Sequence, residues 1–426
     1  MDYRIPIGIK ARQVKIDTLG CKLNQAETDI LAEHFVQAGY SLTKSIADAD
    51  IYVVNTCTVT HVADRKSRHL LRAAHRSNGK TIVVATGCYT QRKSKEVAAI
   101  DGVDVVVGND EKMNIIPLME SRGYPTIQNE NKRGMLSGNI NHIKNRAFIK
   151  AQDGCSNFCA YCIVPVVRGP EKSVSVGEII ARIKEKVTYG YKEVVLTGTE
   201  IGSYYDKGIT LIGLIKQILD ETSIERLRIS SLQPHHITPQ LIELWHNRRL
   251  CPQLHLPLQS GSDNVLRRMK RRYSIKEYGK AISLIRKIPD VAITTDVIVG
   301  FPGESVDDFE ESFNFYKILN FARIHVFAFS LRPGTQATEM NGQINTRIKK
   351  QRSQLTIKLA EQSAKKFRER FLGEVRRVLW EKKSNGVWSG LTANYIRVYA
   401  KNDRDLTNKI TRVKLENLYK DGVWGR

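Results

Sequence analysis

The sequence predicts an α/β protein in three parts: an N-terminal open parallel α/β domain over residues 12–128, a central partial (β/α)6 barrel over 141–371, and a C-terminal small β-barrel over 372–426. Short, β-branched apolar runs alternate with helix-patterned stretches through the first two parts, which is typical of parallel α/β units. A long polar helix is predicted at 347–371. After Gly373 the pattern changes to short alternating strands, predicted at 375–380, 387–391, 395–399 and 410–415, which indicates a small barrel.

Composition agrees with a folded, basic protein. The chain has 426 residues, of which 41% are hydrophobic, enough for two or three domain cores. Its 67 Lys and Arg against 44 Asp and Glu give a net charge of +23, which favours a nucleic-acid partner, although an ordinary basic protein is the alternative. No apolar block of signal-peptide type and no apolar run of about 18 residues occurs, so we expect a cytoplasmic protein without a membrane partner.

Three solitary cysteines of the N-terminal part share one setting. Its predicted strands are residues 14–19, 51–54, 82–85 and 103–107, and its predicted helices are 25–38 and 64–76. Cys21, Cys57 and Cys88 each follow one of the first three strands, and Gly20 and Gly87 allow tight turns there. Because the carboxyl ends of parallel strands meet at one edge of a sheet, we expect a shared metal site. The alternative is that each cysteine is a small buried apolar residue.

Three further cysteines form a compact loop in the central part. The predicted strands there are residues 148–151, 193–197, 226–230, 254–258, 292–299 and 324–329. Cys155, Cys159 and Cys162 follow the first of them. Structural zinc sites and iron–sulfur clusters normally have four protein ligands, and no second cysteine pair accompanies this loop. The trio therefore indicates a cluster with one iron open to another ligand. Cys251 is the seventh cysteine and has no predicted role.

The Cys-x-x-x-Cys-x-x-Cys spacing resembles the radical S-adenosylmethionine (SAM) superfamily, and the whole chain resembles its methylthiotransferases. The matching segments are residues 18–25, 54–60, 154–165, 255–262 and 295–304. The resemblance implies that Cys155, Cys159 and Cys162 hold a [4Fe–4S] cluster whose open iron binds SAM. It also implies a second [4Fe–4S] cluster on Cys21, Cys57 and Cys88, and the use of SAM as both methyl donor and radical source. The C-terminal barrel resembles the TRAM domain, which is similar in shape to RNA-binding barrels.

Residues 22–25, 58–68 and 156–158 most resemble the branch that acts on threonylcarbamoyladenosine in tRNA. This implies methylthio transfer to C2 of that nucleoside at position 37, in the anticodon arm. The alternatives are isopentenyladenosine in tRNA, an aspartate of a ribosomal protein, or a non-enzymatic RNA-binding protein stabilised by metal. We expect a monomer that receives electrons from a donor such as flavodoxin or ferredoxin. The sequence identifies neither the sulfur source nor the catalytic group.

Strand-end position and the resemblance together predict a set of SAM contacts: Tyr161, Thr197, Gly198, Glu200, Ser230, Gln259, Asp296 and Gly300. Basic residues beside Cys57 and in the C-terminal barrel are predicted RNA contacts: Arg65, Lys66, Arg68, Arg72, Arg376, Arg377 and Arg397. The aromatic residues Trp380, Trp388, Tyr395 and Tyr399 either stack on RNA bases or form the core of the barrel. A third basic run, residues 267–272, either contacts RNA or caps a helix.

Overall fold

The computed structural model describes residues 12–77, 79–124 and 145–426. The chain divides into two compact units, of which the second contains residues 143–165 and 170–426 and the first the remainder. The predicted boundaries at 128 and 141 lie outside the described residues. The boundary at 371/372 stays a prediction, although the last helix ends at Glu369 and the next strand begins at Val375. No helix of the described residues is long and apolar enough to cross a membrane.

The first unit is built on a five-stranded parallel sheet in the order β2-β1-β3-β4-β5. Its strands are β1 Gln13–Thr18, β2 Ser41–Leu42, β3 Ile51–Thr56, β4 Ile82–Gly87 and β5 Val105–Val106. Its helices are α1 Lys22–Gln37, α2 His61–Ser77, α3 Cys88–Arg92, α4 Ser94–Ala98 and α5 Ile115–Ser121. Strand β3 is buried along its whole length, as expected for the middle of a covered parallel sheet. Sequence patterning predicted the parallel sheet and the helices α1 and α2, and it missed the short strand β2 and the helices α3, α4 and α5.

The core of the second unit consists of six parallel strands in chain order. They form two three-stranded sheets, and isolated bridges from Leu227 to Leu250 and from Ser231 to His255 join these sheets into one open barrel. The strands are β6 Arg146–Lys150, β9 Glu193–Thr197, β12 Arg226–Ile229, β13 Gln253–His255, β14 Ala292–Val299 and β15 Arg323–Ala328. Two short antiparallel strand pairs are also present. One is formed by β7 Gln152–Asp153 and β8 Lys172–Ser173, and the other by β10 Tyr205–Asp206 and β11 Ile209–Thr210. The predicted partial (β/α)6 barrel is confirmed.

Helices follow the strands along the chain. They are α6 Val164–Arg168, whose last three residues belong to the first unit, α7 Val176–Thr188, α8 Leu211–Glu221, α9 Pro239–Glu243, α10 Asp263–Arg268, α11 Ile275–Ile285, α12 Val306–Leu319 and α13 Thr346–Glu369. The longer ones, among them α7, α8 and α11, bury apolar residues in the core around the barrel. Local sequence fixes where the longer ones begin. Ser274 and Ser305 form capping boxes with Glu277 and Asp308, which satisfy backbone N–H groups that a helix start leaves open.

The C-terminal strands close into a five-stranded barrel in the order β16-β17-β18-β20-β19. They are β16 Val375–Ser384, β17 Val387–Thr392, β18 Arg397–Lys401, β19 Ile410–Tyr419 and β20 Gly422–Gly425. Trp380 and Trp388 lie in its core, at 1% and 3% exposure. The strand predicted at 395–399 begins instead at Arg397, because Tyr395 has a left-handed φ of +63°.

A buried carboxylate joins this small barrel to the amino-terminal edge of the core strands. Glu193 is fully buried and lies in register between Arg146 and Arg226. Arg228 binds both of its oxygens, at 2.7 and 3.2 Å, and donates to the carbonyl oxygen of Ala393 at 2.6 Å. Its guanidinium also lies 3.8 Å from the centre of the Tyr395 ring. Tyr395 therefore contacts this arginine, and the network anchors the small barrel away from the strand ends that carry the central cysteine loop.

Burial by itself raises the pKa of Glu193, but Arg228, Arg146 and Arg226 oppose it and lower the pKa to about 2. Because this value lies below the ordinary 4.5, the carboxylate contributes stability that is fully present above pH 4.5 and is lost as the pH falls towards 2. We expect Glu193→Gln to reduce the free energy of unfolding at pH 7 by about 3–5 kcal/mol, since it leaves buried arginines without their anion. The loss should shrink as the pH approaches 2.

Urea unfolding of the metal-free protein, followed by circular dichroism between pH 2 and 7, measures this effect. Glu225→Gln is the matched control, because Glu225 forms only half-exposed ion pairs with Lys192 and Arg377 and should contribute about 0–1 kcal/mol. Equal effects of the two substitutions would contradict the anchoring role of Glu193.

Candidate metal centres and cofactor site

The first unit brings Cys21, Cys57 and Cys88 to one edge of its sheet. They follow β1, β3 and β4, which are adjacent strands. Burial raises the pKa of Cys57 to about 12 and also raises that of Cys21, and electrostatic interactions with the neighbouring thiols of the trio add to both shifts. The convergence predicted from the strand ends is therefore present. Cys57 and Cys88 are buried, whereas Cys21 retains an exposed surface. Three soft thiol ligands in one place suit iron–sulfur chemistry.

Gly20 and Gly87 make the turns that bring the thiols together. Both have left-handed φ angles, +98° and +99°. A Cβ on Gly20 would lie 2.7 Å from Cys57 Sγ, and one on Gly87 would lie 2.5 Å from the carbonyl oxygen of Thr56. The close approach at each glycine is therefore to the neighbouring strand end, and only glycine fits there.

Charged residues that sequence reasoning missed lie beneath this trio. Lys112 and Glu27 are buried and form an ion pair of 2.7 Å, and Arg168 binds the other oxygen of Glu27 at 3.0 Å. Arg168 partly offsets the burial effect on the pKa of Cys21 and Cys57. Asn109 donates a hydrogen bond of 3.8 Å to Cys88 Sγ. The site thus offers thiolates a positive, hydrogen-bonding environment, which the cysteine pattern alone does not reveal.

The second trio lies in the loop after β6 and β7. Cys155 accepts hydrogen bonds of 3.4 Å from the backbone and side-chain nitrogens of Asn157, and Cys159 accepts one of 3.3 Å from Arg271. Burial raises the pKa of Cys162 to about 12, and its interactions with Cys159 and Cys155 add to the shift. Among the described residues, no three His, Cys, Asp or Glu side chains are grouped as ligands of one metal ion. A cubane cluster places each thiolate on a different iron, and both trios fit that larger group.

Three of the predicted SAM contacts carry buried oxygens without a hydrogen-bond partner. They are Thr197 Oγ1, Ser230 Oγ and Glu200 Oε1, at the carboxyl ends of β9 and β12. The backbone N–H of Ser230 donates to Leu196 O at 3.0 Å, so Thr197 and Ser230 lie side by side. An unsatisfied buried polar atom costs about 1–3 kcal/mol. The set therefore fits a polar ligand such as SAM, which would satisfy these atoms.

Glu200 is held firmly in this group. Its backbone N–H donates to Gln152 Oε1 at 2.8 Å, and its Oε2 accepts hydrogen bonds from Asn157 and Gln233. Burial raises its pKa, and these side-chain hydrogen bonds oppose the rise. Gly198 lies two residues before Glu200, and a Cβ on Gly198 would lie 2.8 Å from Gln152 Oε1.

The other predicted SAM contacts lie within β14, in the loops beyond β13 and β14, and in the cysteine loop. Gln259 has a φ of +67° and donates its backbone N–H to Asp296 O at 2.8 Å. The Asp296 carboxylate lies 3.3 Å from His255 Nε2. The Gly300 N–H donates to Glu304 at 2.7 Å, and the Tyr161 ring packs edge-on against Phe301. Their role as SAM contacts stays a prediction.

Comparison with known proteins identifies the family of this chain. Residues 13–108 match the family described as uncharacterized protein family UPF0004, and residues 149–316 match the radical SAM superfamily. A threonylcarbamoyladenosine tRNA methylthiotransferase, MtaB, of Bacillus subtilis is 36% identical and covers 94% of this chain and 93% of its own. This chain belongs to the radical SAM methylthiotransferase family. A tRNA-2-methylthio-N(6)-dimethylallyladenosine synthase of Endomicrobium trichonymphae is also similar, at 30% identity over 96% of this chain and 98% of its own.

A solved structure supports the fold of this methylthiotransferase. The radical SAM methyltransferase TsrM of Kitasatospora setae, determined with cobalamin and a [4Fe–4S] cluster, superposes with a TM-score of 0.58 over 77% of each chain. Sequence identity is 13%, so the likeness concerns the fold alone.

The predicted RNA contacts of the methylthiotransferase divide by their surroundings. Four side chains are exposed, Arg65, Lys66, Arg72 and Arg377, and of these Arg377 also pairs with Glu225 at 3.5 Å. Three others have acidic or hydroxyl partners: Arg68 binds Tyr89 and Glu96, Arg376 binds Asp290 and Glu374, and Arg397 binds Asp421. All seven stay predicted RNA contacts, and the exposed ones are the most accessible to phosphate.

Replacing Gly20 tests the first site. We expect Gly20→Ala to lose the cluster of the first unit and keep the other, because the new Cβ strains a left-handed turn and displaces Cys57 Sγ. Iron and acid-labile sulfide in the purified protein should fall by about half. Gly79→Ala is the control, since nothing lies within 4 Å of its added Cβ. Full iron content in Gly20→Ala would contradict the assignment.

Proposed function

We propose that this protein installs a methylthio group at C2 of N6-threonylcarbamoyladenosine at position 37 of tRNA. Membership of the methylthiotransferase family and the high similarity to the Bacillus enzyme support this substrate over isopentenyladenosine and over a ribosomal protein. The observation that carries the proposal is the presence of two separate cysteine trios, each at the carboxyl edge of its own parallel sheet. A non-enzymatic RNA-binding protein would need neither.

Separate groups of residues would bind the two clusters and SAM. Cys155, Cys159 and Cys162 would hold the [4Fe–4S] cluster that, together with SAM, supplies the one-electron chemistry needed to activate an unreactive C–H bond. Thr197, Ser230 and Glu200 would bind and orient SAM through the oxygens that now lack partners. Cys21, Cys57 and Cys88 would hold the second [4Fe–4S] cluster, which would supply a binding site for the methylsulfide unit.

Exposed basic residues would bind the tRNA substrate. Arg65, Lys66 and Arg72 are exposed on α2, which begins four residues after Cys57. They would bind phosphates of the anticodon arm beside the second cluster. The closed C-terminal barrel, as a TRAM domain, would bind tRNA as well. An electron donor such as flavodoxin or ferredoxin would complete the cytoplasmic, monomeric system.

Mass spectrometry of tRNA nucleosides from a strain lacking this protein tests the substrate. We expect loss of 2-methylthio-N6-threonylcarbamoyladenosine and accumulation of its precursor, restored by the wild-type chain and not by Cys57→Ala or Cys159→Ala. Cys251→Ala is the control, because Cys251 belongs to neither trio, and it should restore the product. Loss of the isopentenyl product instead would contradict the proposed substrate.

The salt dependence of tRNA binding tests the basic surface. We expect Arg65→Gln and Lys66→Gln each to reduce the slope of log K against log salt by about 0.7–0.9, because each removes one phosphate contact. Lys184→Gln removes an exposed charge from α7, outside the predicted RNA contacts, and should leave the slope unchanged. An equal change in all three variants would indicate general charge attraction rather than a defined site.

A further inference from the structure

One arginine of the basic run at 267–272 faces inward to the central cysteine loop. Arg267 and Arg272 are exposed, whereas the guanidinium of Arg271 stacks 4.8 Å from the centre of the Tyr273 ring. Its Nε also donates to the Tyr273 hydroxyl at 3.1 Å. Stacking and hydrogen bonding together fix the plane of the guanidinium, which points inward and not towards an RNA phosphate at the surface.

The other two nitrogens of Arg271 reach the cluster loop and the cofactor site. Nη1 donates to Cys159 Sγ at 3.3 Å, and Nη2 donates to Gln233 Oε1 at 3.1 Å. Gln233 in turn donates to Glu200, and Asn157 bridges Glu200 and Cys155 Sγ at 3.2 and 3.4 Å. Two of the three cysteines are thus linked through one chain of hydrogen bonds that passes through Glu200.

The positive charge of Arg271 lies next to Cys159, a predicted cluster ligand. A guanidinium stays protonated in proteins, and its attraction for a nearby negative charge is stronger when both are shielded from water. Hydrogen bonds and charges at the ligating sulfurs set the reduction potential of iron–sulfur clusters. A fixed cation bonded to Cys159 Sγ favours the state of the cluster that carries one more electron.

We propose that Arg271 is a positioning residue that raises the reduction potential of the cluster held by Cys155, Cys159 and Cys162 and, through Gln233, holds Glu200 in place beside it. This inference rests on the proposed function, because it takes that trio as the cluster site. The redox change concerned is the addition of one electron to the [4Fe–4S]2+ cluster, which gives [4Fe–4S]+, with dithionite as the electron source in the experiment.

A potentiometric titration followed by electron paramagnetic resonance tests the proposal. The full-length chain carries Cys21→Ala, Cys57→Ala and Cys88→Ala, so that only the central cluster contributes to the signal. Adding Arg271→Gln should lower the equilibrium constant for reduction about tenfold, which corresponds to a shift of about 59 mV to more negative potential for one electron. Arg272→Gln removes the same charge from the exposed neighbour and should leave the potential unchanged.

Arg271→Lys keeps the charge and loses the planar fork, so its potential should lie between those of the parent and Arg271→Gln. If Arg271→Gln fails to assemble a cluster, Arg271→Lys alone tests the proposal: a potential more negative than that of the parent supports it, and the parent value overturns it. An intact cluster with unchanged potential in Arg271→Gln also overturns it. If the parent itself binds no central cluster, the proposed function fails instead.

Discussion

The chemistry of this protein depends on one constraint, which is that parallel strands present their carboxyl ends at a single edge of the sheet. In the first unit this constraint gathers Cys21, Cys57 and Cys88, although they are far apart in sequence. In the second unit it places the cysteine loop beside Thr197, Glu200 and Ser230. The same rule therefore builds two candidate sites, one in each unit, and each contains three cysteines.

The opposite edge of the core strands has a structural role. There Glu193 lies among Arg146, Arg226 and Arg228, and the arginines extend hydrogen bonds to backbone carbonyls of the C-terminal barrel. Such a buried ionic group adds little stability compared with an apolar core, but removing one member leaves the others uncompensated. The arrangement fixes the small barrel on the core without using any residue of the cofactor site.

The sequence was informative where structure depends on local pattern. Runs of β-branched residues identified nearly all long strands, and the cysteine positions after them identified both trios. It was uninformative where a contact joins distant residues. Arg271 and Cys159 are 112 positions apart, and Lys112 and Glu27 are 85 apart, so no local pattern showed that they meet. Tyr395 was wrongly assigned to a strand: its backbone is left-handed and its ring contacts Arg228, which is distant in sequence.

The central claim is that two independent clusters occupy two cysteine trios, and counting iron in matched triple variants tests it most directly. Mössbauer spectra and iron analysis would be compared for the wild-type chain, for the variant with Cys21, Cys57 and Cys88 replaced by Ala, and for the variant with Cys155, Cys159 and Cys162 replaced by Ala. The account predicts that each triple variant retains half of the wild-type iron, with cubane parameters. Loss of all iron in one variant, or retention of all of it in either, would contradict the account.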